Sequence, residues 1–155
     1  MNLNKYKGIW LYGLSGVGKT HASKFIKKKI NRSIIIDGDD VRKKISFDLD
    51  YSIKDRKIQI ERVYGLSKII INSGCFPVIS TVYMNQKIIN KTIKSKILLV
   101  LIKREMSKIF KKHKTYKNKN NVIGVDLHYQ NKLKSKVIFN DGGSKFCQNI
   151  LKLIK

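Results

Sequence analysis

Apolar residues along the chain fall into short runs, separated by lysine-rich segments with helical spacing. Residues 9–12, 33–36, 77–82, 97–102 and 137–139 are nearly continuous apolar runs of strand length. Runs of that kind, unlike alternating ones, predict strands buried on both faces, as in a parallel sheet covered by helices. Between them, residues 21–30 put Ala22, Phe25, Ile26 and Ile30 on one helical face. A turn at residue 51 leads into a long helix reaching residue 73, with Ile58, Val63, Leu66 and Ile70 near one face and Ser73-Gly74 as its stop. Phe146, Ile150 and Leu153 repeat at helical spacing near the end. The alternation predicts an α/β three-layer sandwich with a mainly parallel sheet of about five strands and helices on both faces. Crossovers are expected to be right-handed, with ligands beyond the carboxyl ends of the strands. Residues 103–121 break the pattern. They are rich in lysine and asparagine and predict a solvated loop that also serves as a mobile lid.

Length and composition add limits. A chain of 155 residues with 42% hydrophobic content suits a single domain, residues 1–155, with one core. The apolar runs are too short to span a bilayer, and the polar first seven residues do not read as a signal peptide. Cys75 and Cys147 lie far apart and have no metal-ligand spacing, which predicts reduced thiols and a cytoplasmic protein. His21, His113 and His128 show no metal spacing either. The formal charge is +24, from 34 Lys and Arg against 10 Asp and Glu. Either a polyanion partner or a compositional lysine background accounts for it. Lysine is scattered throughout, and arginine is confined to Arg32, Arg42, Arg56, Arg62 and Arg104. That distribution favours the background reading, with no specific nucleic-acid partner, because nucleic-acid readers rely on arginine forks and interleaved aromatics.

The candidate chemistry starts directly after the first strand. Gly13-Leu14-Ser15-Gly16-Val17-Gly18-Lys19-Thr20 has the full G-x-x-x-x-G-K-[ST] spacing between a strand and a helix. Glycines there let backbone N–H groups converge on phosphate oxygens, and the following helix directs its positive end at the anion. Lys19 is expected to reach the β and γ phosphates of ATP, and Thr20 to hold Mg²⁺ through its hydroxyl. The fold class is therefore the P-loop NTPase type. At the end of the second strand stands Asp37-Gly38-Asp39-Asp40-Val41-Arg42, three of the chain's few acids in one turn. A carboxylate beside the γ-phosphate accepts or orients the proton of an attacking hydroxyl. Asp39 is the residue expected in that role, and Asp40 either joins it or caps a helix starting near Val41.

With these two segments the chain resembles the adenylylsulfate kinase family. The likeness extends from Gly8 to about Gly142 and includes Leu49-Asp50-Tyr51-Ser52, Asp55-Arg56 and Val122-Ile123-Gly124-Val125-Asp126 at matching spacing. The resemblance implies transfer of the γ-phosphoryl group of MgATP to the ribose 3′-hydroxyl of an activated nucleotide. It makes Asp39 the catalytic carboxylate and Arg42 and Arg56 the contacts to the acceptor's anionic part. Tyr51 becomes the ring that stacks on the acceptor base, and Gln59, Val122 and Ile123 further acceptor contacts. Lys117 becomes a lid lysine. By analogy with related kinases, the resemblance also implies a homodimer.

The departures concern the acceptor. Val122 replaces a second stacking phenylalanine and Gln59 an asparagine. Tyr83-Met84-Asn85-Gln86 replaces an Ile-Ser-Pro-Tyr segment, and the lid's Arg-Asp-Pro-Lys pattern is not legible. His128 and Gln130 stand where proline and glutamate are usual. The chain also looks like the shortened kinases of this family that phosphorylate cytidine diphosphoramidate in bacterial capsule modification. A smaller base agrees with Val122, so cytidine diphosphoramidate is the first expectation and adenylyl sulfate the second. A basic nucleic-acid-binding protein and a kinase for a non-nucleotide metabolite are the competing classes.

Overall fold

Ile9, Trp10 and Leu11 have no exposed surface, because the strand that carries them lies in the middle of the sheet. In a computed structural model, residues 5–112 and 135–154 are described. The elements run β1 (Gly8–Tyr12), α1 (Lys19–Lys29), β2 (Ser33–Asp37), α2 (Gly38–Lys44), α3 (Ile53–Asn72), β3 (Phe76–Thr81) and α4 (Gln86–Lys94). They continue with β4 (Ile97–Lys103), α5 (Met106–Lys112), β5 (Lys136–Phe139) and α6 (Lys145–Ile154). The sheet has five strands in the order β2-β3-β1-β4-β5, and every pairing is parallel.

Side chains alternate across a strand, so β1 feeds two cores. Ile9 and Leu11 join Ala22, Ile26, Val78, Val100, Phe146 and Ile150 on one face. Trp10 and Tyr12 join Val41, Ile60, Val63, Ile79, Ile88 and Ile89 on the other. Trp10 meets its polar requirement by donating from Nε1 to Thr81 Oγ1 at 2.8 Å. The order places β1 and β3 side by side at the centre, so the loop after β1 and the turn after β2 open at the same sheet edge.

Several expectations change. α2 begins at Gly38, not near Val41, and its cap is Asp37, whose side chain accepts from Asp39 N. Asp39 and Asp40 therefore sit in the first turn and do not cap it. In α3 the buried residues are Arg56, Gln59, Ile60, Val63 and Ser67, whereas Ile58 is exposed. Of the expected face, Val63, Leu66 and Ile70 do pack against the core, and only Ile58 is misplaced, because two polar side chains, Arg56 and Gln59, occupy the inward stripe at that end of the helix. α4 was not expected. Asn85 caps it by accepting from Ile88 N at 2.9 Å, and it buries Ile88, Ile89 and Thr92. In the span read as a lid, Lys103 closes β4 and α5 is helical to Lys112. The remainder of that span lies outside the described residues, as do Lys117, Val122, Ile123, His128 and Gln130. Among the described residues no helix is long and apolar enough to cross a membrane.

Candidate active site

The loop between β1 and α1 wraps the N-terminus of α1. Gly13 has φ 148, and a Cβ there would meet Ile102 O at 2.4 Å, so only glycine allows the chain to pass β4 this closely. Gly18 has φ 101 and precedes the first helical residue, with no side chain capping the helix. The first N–H groups of α1 thus remain for an anion. Lys19 folds back over the loop and donates from Nζ to Gly13 O at 2.9 Å and Leu14 O at 2.8 Å. Burial pushes the Lys19 ammonium down to about 8, while Asp39 first and Asp37 second pull it back up.

Asp37, at the end of β2, organises the acidic turn. Its Oδ1 accepts from Asp39 N at 2.9 Å. Its Oδ2 accepts from Ser80 Oγ at 3.0 Å and, at 3.4 Å, from Thr20 Oγ1. The register that pairs Asp37 with Ser80 makes this possible. Thr20 and Asp37 thus come together at one point beside the phosphate loop. Mg²⁺ is bound through one or two carboxylates, water and substrate phosphates rather than a full protein cage. A hydroxyl and one carboxylate beside the phosphate loop fit that requirement. Among the described residues no group of three His, Cys, Asp or Glu side chains forms a metal cage. Sequence reasoning gave Asp37 no role of its own and missed Ser80. The signal for Asp37 was its position as the last residue of β2; for Ser80 there was none.

On the other side of the acidic turn lies a second constellation. Arg42 Nη1 donates to Asp50 O at 2.6 Å and Leu49 O at 3.3 Å. Arg56 Nε donates to Tyr51 O at 2.9 Å. Both guanidinium groups lie over the Tyr51 ring, at 4.6 Å for Arg42 and 5.4 Å for Arg56. Tyr51 itself is half exposed. Burial, and then the neighbouring Arg42 charge, lower the Arg56 pKa, while Tyr51 and Asp39 oppose the shift. Gln59 Nε2 donates to Gly38 O at 3.0 Å, fastening α3 to the acidic turn. The loop from 45 to 52 is held by a bidentate pair from Arg62 to Asp48, and by Ser52 Oγ with Asp55. Arg42, Tyr51 and Arg56, from α2, the loop after it and α3, therefore form one basic, aromatic wall, with Gln59 one turn further along α3. Asp39 belongs to the acidic turn, which Asp37 ties to Thr20 beside the phosphate loop and Gln59 ties to α3.

A parallel five-stranded sheet with a phosphate loop after its central strand, a serine-supported carboxylate beside it and a basic wall opposite defines a P-loop kinase-type domain. The sequence profile of the adenylylsulphate kinase family matches residues 5–140, and the chain belongs to that family. An adenylyl-sulfate kinase of Clostridium acetobutylicum is 27% identical over 173 residues, covering 97% of this chain and 85% of the relative. One from Buchnera aphidicola of Schizaphis graminum is 32% identical over 108 residues, covering 66% of this chain and 48% of the relative. The match thus spans about half that Buchnera relative's length. The solved structure of the Mycobacterium tuberculosis APS kinase CysC in complex with AMPPNP and APS superposes with a TM-score of 0.79. It has 19% identity and covers 97% of this chain and 98% of that one. A gluconokinase from Sinorhizobium meliloti shares the fold at a TM-score of 0.66 and 14% identity, covering 97% of this chain and 93% of that one.

Proposed function

We propose that the protein is an ATP-dependent kinase that phosphorylates a hydroxyl of an anionic nucleotide. The observation that carries this reading is the anchoring of the turn that bears Asp39, tied through Asp37 to Thr20 beside the phosphate loop and through Gln59 to the helix that bears Arg56. A carboxylate held between a triphosphate site and an anion site is placed to take the proton of an attacking hydroxyl. The γ-phosphorus–oxygen bond to the β-phosphate breaks as the new bond to the acceptor oxygen forms, and ADP leaves. Lys19 releases the Gly13 and Leu14 carbonyls to meet the β and γ oxygens. Thr20 and Asp37 would hold Mg²⁺, which when bound neutralises phosphate charge. Arg42 and Arg56 hold the acceptor's anionic tail, since planar guanidinium forks match sulfate and phosphate oxygens. Tyr51 offers its exposed ring to the base.

The names of the relatives favour adenylyl sulfate as acceptor. Val122, an aliphatic residue at a base-stacking position of the resembled family, favours the smaller base of cytidine diphosphoramidate and with it a role in capsule modification. Incubation with MgATP and a panel of adenylyl sulfate, cytidine diphosphoramidate and plain nucleotides, read by mass spectrometry, separates these. A phosphorylated product is expected with one of the two activated nucleotides. Lys19→Ala and Asp39→Ala are each expected to cut acceptor-dependent turnover by roughly 10²–10⁴-fold in folded protein. Undiminished turnover in both variants would refute the assigned roles.

A further inference from the structure

The loop that meets the phosphates has to show its N–H groups to the ligand, so its carbonyls need partners behind it. Gly13 O and Leu14 O are taken by Lys19 Nζ, but Lys19 is the group that must leave them when ATP binds. Two further carbonyls are fastened by side chains that no step of the transfer consumes. Asn140 Nδ2 donates to Val17 O at 2.8 Å, and Arg104 Nη1 donates to Gly16 O at 3.3 Å. Both residues stand just past the ends of strands, Arg104 after β4 and Asn140 after β5.

Asn140 is buried, and all its hydrogen-bonding groups but the carbonyl oxygen of its backbone have named partners. Its backbone N donates to Lys103 O at 2.7 Å, and its Oδ1 accepts from Gly142 N at 2.9 Å. It thus joins the end of β4, the turn before α6 and the phosphate loop. The packing is close: a Cβ on Gly18 would come within 2.6 Å of Asn140 Nδ2. Arg104 lies beside the same turn, its Nη2 3.9 Å from where a Cβ on Gly142 would sit, and its Nε is enclosed without a hydrogen-bond partner. Aspartate at 140 would keep the shape and the Gly142 contact but turn a donor into an acceptor facing Val17 O.

We infer that Asn140 and Arg104 form a backplate that sets the phosphate loop for ATP, with Asn140 the main positioning residue. The inference rests on the reading that residues 13–20 hold the phosphates of ATP. The test is calorimetric titration of MgATP into wild type, Asn140→Asp and Arg104→Gln, together with steady-state kinetics. Asn140→Asp is expected to raise the Kd and KM for MgATP about tenfold or more, and Arg104→Gln about threefold, from a lost hydrogen bond and an orphaned carbonyl. The KM for the nucleotide acceptor stays at its wild-type value. A folded Asn140→Asp that binds MgATP as wild type does overturns the inference, and so does an equal rise in both KM values, which marks general loosening. If Asn140→Asp does not fold, an unchanged Kd in Arg104→Gln overturns it instead. Wild-type protein that fails to bind MgATP defeats the phosphate-loop reading first, and this inference with it.

Discussion

Lys19 carries the sharpest consequence at the scale of the single residue. Its ammonium is held at about 8, below the ordinary value of 10.5, chiefly by burial. Between those values the folded chain has shed a proton that the unfolded chain retains, so burying Lys19 costs stability below pH 8 and the cost fades as pH rises. A bound triphosphate supplies negative charge and drives the proton back on. Binding of MgATP at pH 8 is therefore expected to take up roughly half a proton, and affinity to fall as pH rises through that value. Titration calorimetry at pH 8 in two buffers of different ionisation enthalpy measures the uptake, and Lys19→Ala should abolish it. Asp39 and Asp37 face this ammonium and keep its pKa from falling further.

Among the elements, α4 shows best how packing overrides a local reading. Its sequence, Gln-Lys-Ile-Ile-Asn-Lys-Thr-Ile-Lys, is lysine-rich, and one of its three isoleucines misleads, because Ile93 is exposed. Ile88 and Ile89 are wholly buried against the face that contains Trp10 and Leu101. Glu61 of α3 pairs with Lys87 and Lys91 of α4 and links the two helices. Such partly exposed pairs contribute little, so the helix is held mainly by its two buried isoleucines, Ile88 and Ile89. Ile89→Ala is expected to lower unfolding free energy by about 2–5 kcal/mol, measured by urea denaturation with the slope unchanged. A loss below about 1 kcal/mol would mean that the cavity closes or that α4 does not pack there. In α3 only Ile58 departs from the expected face, for a related reason: the inward stripe begins with Arg56 and Gln59, beside Tyr51 and the acidic turn, and only further along becomes apolar.

For the molecule as a whole, the charge of +24 is the dominant property. The basic residues given a place in the site are few, namely Lys19, Arg42, Arg56 and, behind the loop, Arg104. The rest contribute a diffuse positive field that raises the local concentration of anionic nucleotides and repels itself. Random-sequence duplex DNA is expected to bind weakly and without sequence preference, losing at least about a hundredfold in affinity between 50 and 200 mM salt. Filter binding across that range checks it. Tight binding with a sequence preference at physiological salt would instead make a polyanion the protein's partner.

How much was legible follows from how local each signal is. The phosphate loop, the acidic turn, the five strands and the family likeness depend on spacings within a few residues of chain, so the sequence alone determined them. The joining of Arg42, Tyr51, Arg56 and Gln59 was implied only through resemblance, and the structure supplies its geometry. Asp37 with Ser80, Asn140 with Val17, and Arg104 with Gly16 had no signal at all. Each is a contact between residues 43 to 123 positions apart. Hydrogen bonds of that separation depend on parallel strand register and on which strands are neighbours. Only the folded sheet, with β3 and β4 on either side of β1, decides either one.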